Sequence, residues 1–405
     1  MNALAAAHPI LVVALIKIVV LLFLLMTVLA YLSWFERKVI AHIQSRWGPY
    51  RVGPHGLLQP LADGLKFLFK EDLVPAGADK FVFLLAPLLA LSLAITSIAM
   101  IPFGPYDITI FGQHTPLEIT NLSLGLLFLF AITSVGVYGV TLAGWSSDSK
   151  YSLLGGLRSS AQMISYELAL TLSVVGVLLM SGSLNLRDII TSQQGFAWGI
   201  LPRWNLLAGP LPQILGFFCF FTASVAETNR APFDLAEAEG ELGGGFHTEY
   251  SSFKFAMFFI AEYSSMVTVS CLATILFFGG WLSPFPATWT WTAYIPAVAF
   301  GLAGIGLIVD GIRYRTIFGR IVLPVVGLVL LAVGALLLRP GVLEVAQGPF
   351  WFLLKMATFL FIYVWVRGTL PRFRYDQLMS IGWKVLFPLA LANVVLTSLA
   401  VALRP

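Results

Sequence analysis

The sequence predicts an all-α fold: a polytopic transmembrane helical bundle of about ten spans with one in-plane amphipathic helix. Three observations carry this. Hydrophobic residues make up 58% of the chain, charged residues 11%, and mean hydropathy is +0.88, whereas soluble domains carry roughly 25% charged residues. Apolar runs recur that are long enough to cross the hydrocarbon core, which takes roughly 20 residues. Those runs are continuous rather than alternating, which excludes barrel strands.

The first run, 9–33, lacks a basic start. It is followed by Glu36-Arg37-Lys38 rather than by a small-residue cleavage site, so it reads as a retained span and not a signal peptide. A loop over 35–80 comes next. Arg46-Trp47-Gly48-Pro49 and Gly53-Pro54 turn the chain. Leu57, Leu58, Leu61, Leu65, Leu68 and Phe69 then fall at near-helical spacing, with Asp63, Lys66 and Lys70 at other angles and Pro60 in the first turn. That pattern predicts a helix lying in the interface plane, either as a surface anchor or as the frame of a lateral opening for a lipophilic ligand. Further spans are expected at 81–101, 118–144, 159–181, 211–227, 252–280, 291–311, 321–338, 349–366 and 384–403. Nothing marks a separate soluble domain, so 1–405 reads as one membrane domain. No internal repeat is visible, which argues against an inverted-repeat transporter.

Basic residues orient the bundle. Of 24 Lys and Arg, 18 fall in one set of loops, which the positive-inside rule places in the cytoplasm. An even number of spans then leaves both termini outside. The net charge of +4 follows from this topology and says little about nucleic acid.

The acidic loop 228–251 and the residue before it are the most unusual stretch. Glu227, Asp234, Glu237, Glu239 and Glu241 account for a quarter of the 20 acidic residues. Charges beside a bilayer are expensive and mark function by default, and neighbouring carboxylates titrate as a coupled set. Glu167, expected about two turns into the fourth span, and Glu262, near mid-membrane in the sixth, need a proton, a partner or water. Lys17 and Lys355 are likewise interior to spans. Each of the four reads as a structural ion-pair member or as part of a proton relay. Arg367, Arg372 and Arg374, mixed with Phe373, Tyr375, Asp376 and Gln377, suggest a docking surface for a partner protein.

Cys219 and Cys271 both sit in apolar runs, which excludes a cysteine-ligated Fe–S or zinc site within this chain. The five histidines share no metal-ligand spacing. No phosphate-binding loop, dinucleotide fingerprint or nucleophile triad is present.

Several motifs in order resemble the H-subunit family of respiratory complex I, called the subunit 1 family in mitochondria. They are Glu36-Arg37-Lys38, Gln44-x-Arg46-x-Gly48-Pro49, Gln59-Pro60-x-Ala62-Asp63-x-x-Lys66 and Arg158 to Glu167. The acidic loop running on to Gly245-Phe246-His247-Thr248-Glu249-Tyr250, then Glu262-Tyr263, and Arg367-Gly-Thr-x-Pro371-Arg372-x-Arg374-Tyr375-Asp376-Gln377-Leu378-Met379 complete the set. They cover most of 1–281 and 347–403. The family pattern implies eight spans, so 282–346 reads as an inserted, peripheral transmembrane hairpin. Gly240 and Gly243 also depart from the family pattern, and the run Gly243-Gly244-Gly245 should loosen the acidic loop.

The resemblance implies the membrane subunit at the junction with the hydrophilic arm of an NADH:quinone oxidoreductase in a bacterial inner membrane. Quinone is then the substrate. FMN and Fe–S clusters belong to partner subunits, and this chain binds no cofactor alone. Glu36, Arg37, Arg46, Asp63, Arg230 and Phe233 are expected to line the quinone chamber. Proton coupling is expected at Glu167, Glu227, Asp234, Glu237, Glu239, Glu241, Glu249 and Glu262, and partner docking at Arg372, Arg374, Tyr375 and Asp376. Expected partners are the soluble-arm subunits beside the terminal Fe–S cluster, small membrane subunits, antiporter-like subunits and lipid. A hydrogenase-type homologue, a proton-coupled transporter and a structural anchor remain alternatives.

Overall fold

The computed structural model describes residues 2–110, 113–197, 199–234, 245–286 and 288–403. In chain order its helices are α1 (Asn2–Ile43), α2 (Gln59–Phe69), α3 (Lys80–Ile98), α4 (Gly125–Ser146), α5 (Lys150–Ser181), α6 (Leu186–Thr191) and α7 (Ile214–Glu227). They continue with α8 (Ser252–Phe277), α9 (Ile295–Arg313), α10 (Ile317–Leu336), α11 (Pro340–Thr369), α12 (Tyr375–Ile381) and α13 (Phe387–Ala402). Two small antiparallel hairpins pair β1 (Asp107–Ile110) with β2 (Gln113–Pro116), and β3 (Phe196–Ala197) with β4 (Leu201–Pro202). Among the described residues nine helical segments are long and apolar enough to cross a membrane. The tenth expected span, α7, has 14 helical residues and is shorter.

Several boundaries differ from expectation, each for a local reason. α1 does not stop near 33 but runs to Ile43, because Glu36-Arg37-Lys38 are good helix formers and no Gly or Pro intervenes before Gly48-Pro49. Glu36 therefore stands on a helix and not in a loop. α5 starts at Lys150 rather than 159, which puts Glu167 about halfway along it. The third span begins at Gly125 and not at 118, since 117–124 follow β2 as bends and turns before the helix starts. α12 passes through a π-helical turn, Gly382–Leu386, into α13, so the last span begins at Tyr375 and not 384.

In lipid, helices associate through close packing and internal hydrogen bonds rather than through the hydrophobic effect. Small residues do this here. A Cβ on Gly139 in α4 would lie 2.9 Å from the Ala90 Cβ in α3, and one on Gly144 would lie 3.0 Å from the Gly156 Cα in α5. Polar links add to it. Asn393 Nδ2 donates to Gln213 Oε1 (2.8 Å), and Gln213 Nε2 donates to Thr397 Oγ1 (3.0 Å), joining α13 to the start of α7.

Lys17 and Lys355 are held by backbone carbonyls. Lys17 Nζ donates to the Pro116 (2.8 Å) and Glu118 (2.9 Å) carbonyls. Lys355 Nζ donates to those of Phe278 (2.7 Å), Gly280 (2.9 Å) and Leu282 (2.6 Å), a favourable place for a cation just past the end of α8. Both lysines thus pin a turn to a span.

α9 and α10 form an antiparallel pair closed by Gly304 against Gly327, where an added Cβ would come within 2.7 Å of the facing carbonyl. Its outer residues Leu302, Ile312 and Ile317 are exposed. The pair meets the rest of the bundle at Phe300–Phe350 and, at the other end, at the turn Pro54–Gly56.

Candidate functional site

On the basic face a cavity of about 750 Å³ opens between α1, α2 and α8. Glu36 and Arg37 of α1, the Arg46–Pro49 turn, Asp63 and Lys66 of α2, Tyr263 of α8 and Arg367 of α11 supply its polar wall. Met26, Leu29, Phe259 and Ile260 supply apolar surface. The turn reaches the cavity because Gly48 adopts φ +64° and lies so close to α1 that a Cβ would meet the Ala41 Cβ at 2.9 Å. α2 forms one side. Pro60 opens it, Arg37 pairs with Asp63 at 2.8 Å, and Leu61, Leu68 and Phe69 face outward, exposed. That is the expected amphipathic helix, seated against α1 and α8.

Behind the polar wall lies a buried ion network. Arg230, 4% exposed, contacts Glu36 Oε1 through Nη1 at 3.3 Å and Glu262 Oε1 through Nε at 2.5 Å. Arg367 also pairs with Glu36. Tyr263 donates its hydroxyl to Glu36 Oε2 at 2.6 Å, and its ring lies 4.2 Å below the Arg230 guanidinium. Two carboxylates and two guanidiniums share one desolvated site, which is tolerable only because each charge is paired.

Glu262 also faces a second, smaller cavity of about 100 Å³, inside the bundle, together with Glu227, Thr228 and Asn229. Glu167 accepts a hydrogen bond from the Ser134 hydroxyl. A chain of ionisable groups therefore runs from the large cavity through Glu36, Arg230 and Glu262 to the space that Glu227 lines.

Of the six residues expected at the chamber, Glu36, Arg37, Arg46 and Asp63 line the large cavity. Arg230 sits behind the wall, and Phe233 is packed between Tyr166 and Phe373, at 5.5 Å from each ring. Of the coupling residues, Glu227 and Glu262 share the small cavity, and Asp234 pairs with Arg372 at 3.2 Å. Glu249 is half-buried in the turn before α8 and lines neither cavity. Glu237, Glu239 and Glu241 lie outside the described residues. The far end of that loop is anchored. Tyr250 stacks on Phe83 at 4.0 Å and donates to its carbonyl at 3.2 Å, and burial pushes the hydroxyl up to about 12, so it remains a neutral donor. Arg372, Arg374 and Asp376 are exposed on the basic face, and Tyr375 is half-buried beneath Arg158.

Two residues carry more than sequence reasoning assigned them. Tyr263 and Arg367 both line the cavity and both bind Glu36. Tyr263 had one signal, its place beside Glu262. Arg367 was grouped with Arg372 and Arg374 as a docking residue, on a loop where the positive-inside pattern accounts for any basic residue. Among the described residues no group of three or more His, Cys, Asp or Glu is placed to hold a metal ion.

The fold and site define a polytopic helical membrane protein with a charged cavity on its basic face, wired by buried ion pairs to carboxylates inside the bundle. Residues 16–398 match the family described as NADH dehydrogenase. The chain is 52% identical over 390 residues to the NADH-quinone oxidoreductase H-subunit 1 of Solibacter usitatus, covering 96% of this chain and 97% of that one. It is 50% identical over 404 residues to the H-subunit 2 of Koribacter versatilis, covering 97% and 98%. The H-subunit of Thermomicrobium roseum is 47% identical over 383 residues, covering 94% and 93%. The chain belongs to this NADH dehydrogenase family, among its H-subunit members.

Proposed function

We propose that the chain is the membrane subunit at the junction with the hydrophilic arm of an NADH-quinone oxidoreductase, and that it couples quinone reduction to proton translocation. The observation that carries this is the path from cavity to carboxylates. The large cavity has apolar walls for a lipophilic ring and polar groups at one side, and Glu36 in its wall shares Arg230 with Glu262, which faces Glu227. Quinone is the substrate; FMN and Fe–S clusters reside in partner subunits that dock on the basic face at Arg372, Arg374, Tyr375 and Asp376. On this reading that face is cytoplasmic, both termini are periplasmic and the membrane is a bacterial inner membrane.

The mechanism is electrostatic. The charge change on quinone reduction and its proton uptake is felt first by Glu36, Arg37, Arg46 and Asp63. Arg230 serves two carboxylates, so any change in its pairing with Glu36 alters what it offers Glu262. At an effective dielectric of about 20, unit charges 4 Å apart interact by about 4 kcal/mol, enough to move a neighbour's pKa by about three units. Glu262 and Glu227 exchange protons as a set, and Glu167, Asp234, Glu237, Glu239 and Glu241 belong to the same relay, whereas Glu249, which lines neither cavity, stands outside it. The relatives' names favour quinone over a hydrogenase-type acceptor. Buried, paired Glu36 and Glu262 have no use in a mere anchor.

Photo-crosslinking of native membranes with a quinone-analogue inhibitor, followed by peptide mapping, tests the proposal. Label on 36–70 or 256–263, competed by excess quinone, is the expected result. No competed label in membranes whose complex is intact and active overturns it.

A further inference from the structure

The hairpin α9–α10 lies far in sequence from the cavity, yet it touches the turn that walls it. His55 is the main point of contact, with the Tyr50 ring of the same turn beside it, 6.4 Å from that of Tyr314. It adopts φ +52°, ψ +19°, a left-handed conformation uncommon for a side-chain-bearing residue and disfavoured unless the surroundings hold it. Here they do so on three sides. His55 N donates to the Tyr314 hydroxyl at 2.8 Å, the His55 ring Nε2 meets Asp310 Oδ2 at 2.6 Å, and Trp34 Nε1 donates to the His55 carbonyl at 3.3 Å. Two of these three partners come from the hairpin. Tyr314 also packs edge-on against the His55 ring at 5.0 Å.

The strained turn is mechanically tied to the cavity wall. The next residue, Gly56, lies against Pro49, such that a Cβ on it would come within 2.4 Å of the Pro49 carbonyl oxygen. Pro49, Gly48 and Arg46 line the cavity. A His55 released from its clamp would be free to leave the left-handed region and to loosen Gly56 against Pro49.

We propose that Asp310 and Tyr314 are positioning residues: through His55 the hairpin holds the Arg46–Gly56 turn in the shape that binds quinone. This rests on reading the cavity as the quinone chamber. The competing account is a half-exposed ion pair of merely local effect, the usual fate of such pairs. The two differ in what they predict for quinone affinity.

The test uses the assembled complex in membranes, with Asp310→Asn, Asp310→Glu, Tyr314→Phe and, as a separate probe of the chamber, Arg46→Ala. Two readouts are taken: KM and kcat for a short-chain quinone, and NADH oxidation by a hydrophilic artificial acceptor as the measure of assembled enzyme. Asp310→Asn and Tyr314→Phe should each raise the quinone KM about two- to fivefold, the range one such contact is worth. The kcat and the artificial-acceptor rate should hold, and Asp310→Glu should restore the KM. An unchanged KM in both Asp310→Asn and Tyr314→Phe overturns the clamp, whatever Arg46→Ala does. An unchanged KM in Arg46→Ala, by contrast, counts against the chamber itself. Should Asp310→Asn fail to assemble, Tyr314→Phe, which removes one hydroxyl, gives the same reading.

Discussion

Arg230 joins two carboxylates that the chain supplies from opposite sides, Glu36 on α1 and Glu262 on α8. A planar fork with several fixed donors can reach both; a lysine ammonium is a point charge on a flexible stem. Arg230→Lys should keep the site charged and the complex assembled but cost quinone reductase activity at least about tenfold, about 1.4 kcal/mol. Membrane assays normalised to NADH oxidation by a hydrophilic acceptor would measure it, and full activity would mean the shared guanidinium is dispensable. Arg230→Ala should behave differently, because stripping a buried pair of its cation costs about 3–5 kcal/mol; loss of the assembled complex on native gels is expected. Sequence made Glu262 suspicious through its depth in an apolar run. It could not show that Glu36 and Arg230, 194 positions apart, meet, since long-range pairing between helices leaves no periodic trace. Phe233 is a different case. Its motif is specific, yet the ring serves as packing between Tyr166 and Phe373 in this chain.

Helices were legible where the apolar run alone decides them and misjudged where charge continues the helix past the hydrocarbon. α1 and α5 both outrun their apolar stretches, and in α1 the overrun carries Glu36 and Arg37 to the cavity. The amphipathic spacing of α2 was sufficient, because a helix lying in the interface must segregate its faces. Single cysteines can test that orientation, as native Cys219 and Cys271 are both buried. Leu68→Cys should be shielded from a membrane-impermeant maleimide in inverted vesicles, whereas Lys66→Cys should react; equal labelling would mean that α2 stands off the bilayer. The α9–α10 pair yields an energetic prediction. Gly304 leaves no room for a side chain against the Gly327 carbonyl, so Gly304→Leu should destabilise the hairpin by about 1–3 kcal/mol through overpacking. Reduced complex content at elevated growth temperature is the expected readout, with Gly301→Leu, where an added Cβ meets nothing within 4 Å, close to wild type.

Across the whole molecule, the two cavities are arranged in series, the large one at the basic face and the small one inside the bundle, with Glu262 contacting the network of the first and facing the second. Composition was enough to predict a bundle and its basic face, because a bilayer imposes length and charge asymmetry on any chain that crosses it. The serial arrangement was not predictable, since it depends on how α1, α7, α8 and α11 converge. It separates carboxylates that look equivalent in the sequence. Glu227 lines the inner cavity, whereas Glu249 lines neither. If protons pass through that inner space, Glu227→Gln removes one of its two exchangeable carboxyls while preserving shape and hydrogen-bonding capacity. Quinone reductase turnover and proton translocation should then fall together by at least about tenfold, because the coupled pair can no longer hold and release a proton in step. Glu249→Gln, assayed in parallel by quinone reduction and by vesicle acidification, should change either rate less than about twofold, in line with a surface substitution. Wild-type rates for both activities in Glu227→Gln would remove the inner cavity from the proton path and leave the Glu36–Arg230–Glu262 network as a scaffold for the chamber alone.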